Sequence, residues 1–198
     1  VVIATLLGGM LSVGVILLRA AFRRGVETPD QLEALGLPMY ATIPLSDEQG
    51  KMSRKVKRKT DKHFREIPNG LLAARNPADL AIEALRGLRT SLHFAMMEAS
   101  TNTLMITGPS PGIGKSFVAA NLAAVCAQSG QRVLVIDADM RKGHMHSIFD
   151  ERSECGLSDY LAGKKSLEDI IRSVSALETL SYVARGIAPP NPSELLMS

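Results

Sequence analysis

The sequence predicts an α/β fold, in which a parallel sheet is covered by helices on both faces and is preceded by one transmembrane helix. Segments with strand character alternate with segments of helical periodicity, which is typical of such a sheet. A turn rich in glycine and proline separates one strand from a helix, and an uncharged apolar run opens the chain. With 198 residues, 45% of them hydrophobic, the chain can bury a sizeable core.

Cap and turn residues give the order of the predicted elements. Asn76 and Pro77 mark a helix start, because Asn caps helices and Pro favours the first helical position. Gly130 closes a helix as a left-handed cap. The predicted strands are Pro38–Pro44 at a sheet edge, Asn102–Thr107, Gln131–Asp137 and Thr179–Ala184. The predicted helices are one that follows Asn76, Lys115–Ser129, Leu157–Ala162, Leu167–Ser173 and one that starts at Ser193.

The first residues have the composition of a membrane-spanning helix. Residues 1–18 contain no charged side chain, and as a helix they would be about 27 Å long, close to the hydrocarbon thickness of a bilayer. Arg19, Arg23 and Arg24 follow, and this basic flank predicts that later residues face the cytoplasm. A signal peptide and a buried core helix are the alternatives.

Net charge and cysteine content give limited information on binding partners and cellular compartment. The net charge is +3, but seven basic residues lie between Lys51 and Lys62. This cluster would either attract anionic lipid, by about 1 kcal/mol per residue near a bilayer, or form a solvated loop. It lacks interleaved aromatic residues, which argues against nucleic acid. The two cysteines give no disulfide framework and fit a reduced, cytosolic setting.

A phosphate-binding loop is predicted between the strand at 102–107 and the helix that opens at Lys115. The turn from Gly108 to Gly114 directs backbone N–H groups and a helix N-terminus at an anion. Lys115 would reach the outer phosphates, and the Ser116 hydroxyl would join the Mg²⁺ shell. The spacing departs from G-x-x-x-x-G-K-[ST], because Pro109 stands at the first-glycine position. An ordinary strand–turn–helix corner is the alternative.

Two carboxylates follow the next predicted strand. The apolar residues 133–136 lead directly to Asp137 and Asp139. Ligands bind at the carboxyl ends of strands in open α/β sheets, and neighbouring carboxylates repel unless a cation or solvent relieves them. These features predict an ATP site in a P-loop NTPase-like domain at residues 76–198. The domain would follow a transmembrane helix at 1–22 and a juxtamembrane segment with a basic linker at 23–75.

Five segments carry a family resemblance over nearly the whole chain: LGLPMYATIPLS, NPADLAIEALRGLRTSLHFAMM, GPSPGIGKSF, VLVIDADMRKG and RGIAPPNPSELLMS. Through them the chain resembles the bacterial tyrosine kinases of polysaccharide export, and within these the Wzc-type co-polymerases. The resemblance implies a kinase of the bacterial inner membrane that autophosphorylates with Mg-ATP and regulates assembly and export of capsular or exopolysaccharide. The family's loop also carries proline where the general pattern has glycine, which accounts for Pro109 and Pro111.

The resemblance also implies roles for single residues. Lys115, Asp137 and Asp139 would be catalytic, with Asp137 the candidate base for the tyrosine hydroxyl, although either carboxylate could fill either role. Ser116, Asp137 and Asp139 would hold Mg²⁺. The nucleotide would be bound by Gly108, Pro111, Gly112, Ile113, Gly114, Lys115, Ser116, Phe117 and Arg141.

A second implied site is an interface between subunits. Glu83, Arg86 and Arg89 match the family's E-x-x-R-x-x-R motif, which is implied to join copies into a ring beside the ATP sites. Their spacing places them near one helix face, away from Leu85, and an intrahelical salt bridge is the alternative. The other implied partners are the tyrosine-rich tail of a neighbouring subunit, the polysaccharide export and polymerisation machinery, and membrane lipids, but no nucleic acid.

Some features depart from the family pattern. His144 stands where some close relatives have a regulatory tyrosine. The family's next acidic strand end and its tyrosine cluster would lie beyond Ser198, so we expect little activity from residues 26–198 alone.

Two other functions stay open. One is a non-kinase ATPase of the partition or septum-positioning type, which usually carries a second lysine where Ser110 stands. The other is a chain-length scaffold that only binds nucleotide.

Overall fold

The computed structural model describes residues 2–22, 26, 28–50, 70–149 and 155–197. It divides into two compact units, residues 1–39 and residues 40–198. The basic cluster between Lys51 and Lys62 lies outside the described residues.

The first unit contains two helices, α1 (Val2–Phe22) and α2 (Pro29–Glu33). The apolar side chains of α1, such as Ile3, Leu7 and Leu11, are exposed. Of the helices in the described ranges, none has the length and apolar character needed to cross a membrane. The helical structure of the opening segment is confirmed, and its insertion into a membrane stays a prediction.

The second unit consists of helices packed on a small sheet. The helices of this unit that are described at both ends are α3 (Leu72–Arg75), α4 (Leu80–Ala95), α5 (Lys115–Gln128), α6 (Met145–Ile148), α7 (Leu157–Leu161), α8 (Leu167–Ile170) and α9 (Pro192–Leu195). Its strands are β1 (Val133–Ile136), β2 (Ile171–Val174) and β3 (Leu177–Val183). Two predicted helices and two predicted strands are confirmed to within two residues at each end: Lys115–Ser129, Leu157–Ala162, Gln131–Asp137 and Thr179–Ala184.

The described sheet is mixed, with strand order β1-β3-β2. β1 lies parallel to β3, with Val133 opposite Leu180. β2 lies antiparallel to β3, with Ile171 opposite Val183. The prediction of a purely parallel sheet is therefore wrong. Only residues 175–176 separate β2 from β3, and so short a connection permits an antiparallel pair but not a parallel one.

Two predicted strands and part of a predicted helix differ from the structure. Residues 38–44 and 102–107, which are all described, form no strand, and Met105 is 82% exposed. A strand needs hydrogen bonds to a neighbour, and the described sheet ends at β1 on the side away from β3. The helix predicted at Leu167–Ser173 is wrong beyond Ile170, because the following residues pair with β3 instead.

The start of α4 also differs from the prediction. Asp79 is its N-cap residue, and Asp79 Oδ1 accepts a hydrogen bond of 2.8 Å from the N–H of Ala81. Asn76 instead follows α3, and its Nδ2 donates to Glu48 Oε2 at 2.6 Å. The helix begins at Leu80 because the Asp79 carboxylate satisfies an N–H group that has no intrahelical partner.

The core lies around α5, between α4 and the sheet. α5 is apolar on most sides, and residues 120–125 are all buried, as expected for a helix covered on both sides. Leu72, in the segment that the sequence assigned to the linker, is fully buried in the same core. Asn121 of α5 holds that segment, because its Oδ1 accepts a hydrogen bond of 2.8 Å from the N–H of Ala73.

Candidate active site

The predicted phosphate loop is a tight turn that leads directly into α5. Gly112 and Gly114 have φ values of 78° and 97°, in the left-handed region that favours glycine. A Cβ atom on Gly108 would lie 2.2 Å from Cδ1 of Ile113, so this side chain would have to move if Gly108 were replaced. The shape of the loop therefore depends on its glycines.

The N-terminus of α5 follows the loop without a capping side chain. Gly114 is the N-cap residue, and as a glycine it has no side chain that could accept a hydrogen bond from the first turn. The first N–H groups of a helix lack intrahelical partners, and the helix dipole gives this end a partial positive charge. Such an end binds anions, phosphate among them.

Lys115 adds a full positive charge at this helix end. Its side chain is half-buried, and its Nζ donates a hydrogen bond of 2.9 Å to the carbonyl oxygen of Ser110. The lysine therefore folds back along the loop rather than extending away from it. Ser116, the next residue of α5, is also half-buried.

Asp137 follows β1 and has a buried carboxylate. The residue is 6% exposed, and its N–H donates to the carbonyl oxygen of Val183 at 2.9 Å. Its Oδ1 accepts from the N–H of Asp139 at 3.2 Å, and its Oδ2 from the N–H of Met145 at 3.0 Å. A Cβ on Gly143 would lie 2.7 Å from either carboxylate oxygen. Asp137 therefore holds the loop that follows it and is itself fixed by that loop.

Asp139 is exposed, in contrast to Asp137. Its Oδ1 accepts hydrogen bonds from the N–H groups of Arg141 and Lys142, at 3.2 and 2.9 Å. His144 is exposed, and its Nδ1 lies 3.1 Å from the carbonyl oxygen of Lys142. Asp139 thus shapes the turn that carries Arg141 while its carboxylate stays accessible to solvent.

Chain direction brings the phosphate loop and the carboxylates to the same edge of the sheet. α5 runs away from the loop, the chain turns at Gly130, where φ is 87°, and β1 returns along α5 to Asp137. In α/β units, helix N-termini and the carboxyl ends of parallel strands face the same edge, where ligands bind.

The residues present suit a magnesium ion that is bound together with a nucleotide. Ser116, Asp137 and Asp139 offer only oxygen atoms, the ligand type that Mg²⁺ prefers, and Mg²⁺ usually completes its shell with phosphate and water. Within the described ranges, no cluster of three or more His, Cys, Asp or Glu side chains is placed to hold a metal ion by itself.

A cation beside this site was missed in the sequence. Arg185 comes two residues after the end of β3, and its Nη1 donates to the carbonyl oxygen of Arg141 at 3.4 Å. Burial lowers the pKa of His146, and the positive charges of Arg185 and His144 lower it further, against the opposing effect of Asp137. The strand-end argument that singled out Asp137 applies equally to Arg185 and could have found it.

The residues of the E-x-x-R-x-x-R motif make two different kinds of contact. Glu83 and Arg86 form an ion pair on α4. Arg89 is half-buried, and its Nη1 donates to the carbonyl oxygen of Val125 at 3.2 Å. The expectation that all three lie near one helix face, away from Leu85, is wrong for Arg89. Two steps of three residues rotate a side chain by about 120° around a helix, which turns Arg89 toward α5.

Arg89 acts as a cap on α5. Val125 lies in the last turn of that helix, where the N–H of Ser129 bonds to Cys126 rather than to Val125. Helix-end carbonyls lack intrahelical partners, and a cation near them is favourable. Burial raises the pKa of the Cys126 thiol, and the Arg89 charge opposes this effect.

A recess of about 240 Å³ opens beside Arg89, where α4 and α5 both end. Its lining residues are Arg89, Thr90, His93, Phe94, Ser129 and Gln131. Ligand pockets typically measure about 300–1,000 Å³, so this recess is small. None of the residues predicted to bind nucleotide lines it, which makes it separate from the candidate active site.

Residues 104–188 match the family model of the CobQ/CobB/MinD/ParA nucleotide binding domain. This part of the chain is therefore a nucleotide-binding α/β domain of the P-loop class. A putative tyrosine-protein kinase in the cps region of Klebsiella pneumoniae is 50% identical over 191 residues, 96% of this chain and 26% of that protein. The kinase domain of Escherichia coli tyrosine kinase Etk is 50% identical with a TM-score of 0.76, over 87% of this chain and 65% of that chain.

The tyrosine kinase domain of BceF is 44% identical and has a TM-score of 0.77, over 88% of this chain and 68% of that chain. The chain belongs to the bacterial tyrosine kinase family, which confirms the resemblance found in the sequence. It spans about a quarter of the length of the curated relatives it matches.

Proposed function

We propose that this chain is part of an autophosphorylating protein-tyrosine kinase, which transfers the γ-phosphoryl group of Mg-ATP to tyrosines on copies of itself. The observation that carries the proposal is the uncapped N-terminus of α5 with Lys115 folded over the glycine loop. Such a helix end favours a bound phosphate group, and the chain is 50% identical to proteins named tyrosine kinases.

Each predicted site residue has a role in this proposal. Bound Mg-ATP supplies the phosphoryl group and neutralises part of its charge. Lys115 holds the outer phosphates, and Ser116 and Asp139 hold the metal ion. Asp137 accepts the tyrosine proton and shares in holding the ion. Gly108, Pro111, Gly112, Ile113, Gly114 and Phe117 contact the nucleotide from the loop and the start of α5, and Arg141 contacts it from the turn after β1.

The two carboxylates can be separated by experiment. Asp137→Asn and Asp139→Asn each remove one charge while keeping the size of the side chain. A base is needed for transfer and not for binding, so Asp137→Asn should lower phosphotransfer more than nucleotide affinity. Asp139→Asn should weaken both, because Mg²⁺ binds with ATP. Equal effects of the two variants on affinity and on rate would contradict this division.

The kinase proposal is tested with Lys115→Met in the full-length protein. The matched control is Lys164→Met, which makes the same change at an exposed lysine outside the loop. Lys115→Met should abolish phosphotyrosine in an immunoblot and weaken binding of a fluorescent ATP analogue by at least about tenfold, since a charge-assisted phosphate contact is lost. The control should behave like wild type.

Three outcomes distinguish the kinase from its alternatives. ATP hydrolysis without phosphotyrosine in the wild type would indicate a partition-type ATPase. Nucleotide binding with neither hydrolysis nor phosphotyrosine would indicate a scaffold. Unchanged ATP affinity in Lys115→Met would refute the site itself.

We propose in addition that the kinase works at the bacterial inner membrane, in the assembly and export of capsular or exopolysaccharide. The exposed apolar side chains of α1 support a membrane location, with residues 1–22 in the bilayer, 23–75 as a cytoplasmic linker near lipid and 76–198 as the catalytic part. Deleting residues 1–22 should move the protein from the membrane fraction to the supernatant, and a protein that sediments unchanged would contradict this.

Glu83 and Arg86 are proposed to contribute to a ring of subunits, in which each site receives the tyrosine-rich tail of its neighbour. Arg86 and Glu83 pair with each other on α4, with side chains 32% and 57% exposed, whereas Arg89 already contacts α5. Arg86→Ala should therefore reduce the oligomer mass measured by light scattering. An unchanged mass would exclude Arg86 from the interface.

A further inference from the structure

The chain contains three tyrosines, and they differ sharply in how a kinase could reach them. Tyr182 lies within β3 and is 1% exposed, with its ring stacked on Phe149 at a centroid distance of 4.4 Å. Phosphorylation there would require the sheet to open. Tyr182 is therefore not an acceptor in the folded chain.

Tyr160 has an accessible side chain on a fixed helical backbone. It is 41% exposed, its N–H donates to Gly156 at 3.2 Å, and its carbonyl oxygen accepts from Gly163 at 2.9 Å. The helix α7 that carries it is fixed to the chain after β3, because the N–H of Leu157 donates to the carbonyl oxygen of Ala184 at 2.8 Å. Bringing the Tyr160 phenol into a deep site would require this turn to unwind.

Tyr40 lies in a segment that forms neither a helix nor a strand. It is 46% exposed, and residues 40–45 make no backbone hydrogen bond to other described residues. Exposed Tyr40 and Thr42 alternate with half-buried Ala41 and Ile43, and Ile43 packs on the core. The segment therefore presents the Tyr40 phenol outward while its other face is held.

The end of this segment is fixed by a side-chain contact. Ser46 is buried, and its Oγ donates to Asp79 Oδ2 at 2.7 Å and accepts from the N–H of Gln49 at 3.2 Å. Asp79 is the N-cap of α4, so the anchor is part of the folded unit. Because the segment is already anchored, it should lose little conformational entropy when its exposed part binds in an active site.

We propose that Tyr40 is a phosphoacceptor of this chain. The proposal rests on the kinase function proposed above. In the transfer, the bond between the γ-phosphorus and the oxygen bridging to ADP breaks, and a bond from that phosphorus to Tyr40 Oη forms. The phenolic proton passes to a carboxylate of the kinase site, and ADP leaves. The product carries a phosphate with a charge of about −1.5 to −2 on this segment.

The test separates the acceptor from the chain's own activity. The substrate is this chain carrying Lys115→Met, and the enzyme is the kinase domain of E. coli Etk with Mg-ATP. Peptide mass spectrometry over time then measures phosphate on each tyrosine. We expect Tyr40 to be phosphorylated at least about fivefold faster than Tyr160, because the Tyr160 turn must first open locally, and we expect no phosphate on Tyr182.

Tyr40→Phe and Tyr160→Phe are matched variants that each remove one hydroxyl. Tyr40→Phe should lower total incorporation at least about threefold at unchanged circular dichroism, and Tyr160→Phe should change it little. Incorporation that is unaffected by Tyr40→Phe, a majority of phosphate on Tyr160, or none on Tyr40 while Etk phosphorylates itself would overturn the proposal. Because Etk supplies the activity here, failure of the chain's own kinase function would show only in the Lys115→Met immunoblot.

Discussion

Asn121 joins the helix of the phosphate loop to the segment before α4, and its replacement by alanine should destabilise the fold. The side chain is fully buried, its Oδ1 accepts from the N–H of Ala73 at 2.8 Å, and its Nδ2 donates to Phe117 at 2.9 Å. Ala73 is also fully buried, so its N–H would be left without a partner, which costs about 1–3 kcal/mol. The lost volume adds roughly 1 kcal/mol. We expect the free energy of unfolding to fall by about 2–4 kcal/mol.

Urea denaturation followed by circular dichroism measures this change, because the chain has no tryptophan for fluorescence. The matched control is Gln128→Ala, which removes a hydrogen bond of 3.1 Å from Nε2 to the carbonyl oxygen of the same residue, Ala73. Gln128 is exposed, so water can replace the bond and the loss should stay below about 1 kcal/mol. Equal losses in both variants, or an Asn121→Ala protein within about 0.5 kcal/mol of wild type, would refute the reasoning.

Three further changes test the site and its supports. Arg89→Ala should lower the free energy of unfolding by about 1 kcal/mol, because the cap on α5 is lost. Arg86→Ala removes only a partly exposed ion pair and should change it by less than about 0.5 kcal/mol. Equal losses of free energy in urea denaturation of the two variants would contradict the cap. Gly114→Ala should cost about 1–2 kcal/mol because φ is 97°, and should weaken ATP binding, while Gly87→Ala within α4 should not destabilise. The pKa of His146 in the folded state is below the unfolded value of 6.5, so its contribution to the free energy of unfolding is present above that pH and is lost as the pH falls. His146→Gln should therefore make the free energy of unfolding less dependent on pH between about pH 7 and 5. An unchanged slope would contradict this.

Local sequence signals predicted those elements whose cause lies within a few residues. The glycines at 112 and 114 predicted the turn into α5, and Gly130 predicted its end, because positive φ is a property of the residue itself. The apolar run that ends at Asp137 predicted β1, and the structure has it at Val133–Ile136. The family resemblance, confirmed by the comparisons, came from the same segments.

Elements that depend on hydrogen bonds to a distant segment of the chain were less predictable. Residues 102–107 suit a strand in composition, yet a strand forms only where another lies beside it. Ile171–Ser173 were predicted as the end of a helix, and their pairing with β3 decided otherwise. Periodicity cannot distinguish these cases, because the competing hydrogen bonds come from residues elsewhere in the chain.

The sequence by itself determined that the glycine loop, Lys115 and the start of α5 lie together, because residues that are adjacent in the chain stay adjacent in the fold. Only the tertiary structure decided that Asp137 is buried while Asp139 is exposed, and that Arg89 hydrogen-bonds to α5 while Arg86 pairs with Glu83. The physical reason is that solvent access and hydrogen-bond partners are set by packing between distant segments, and a side chain's identity does not specify which neighbours it will meet.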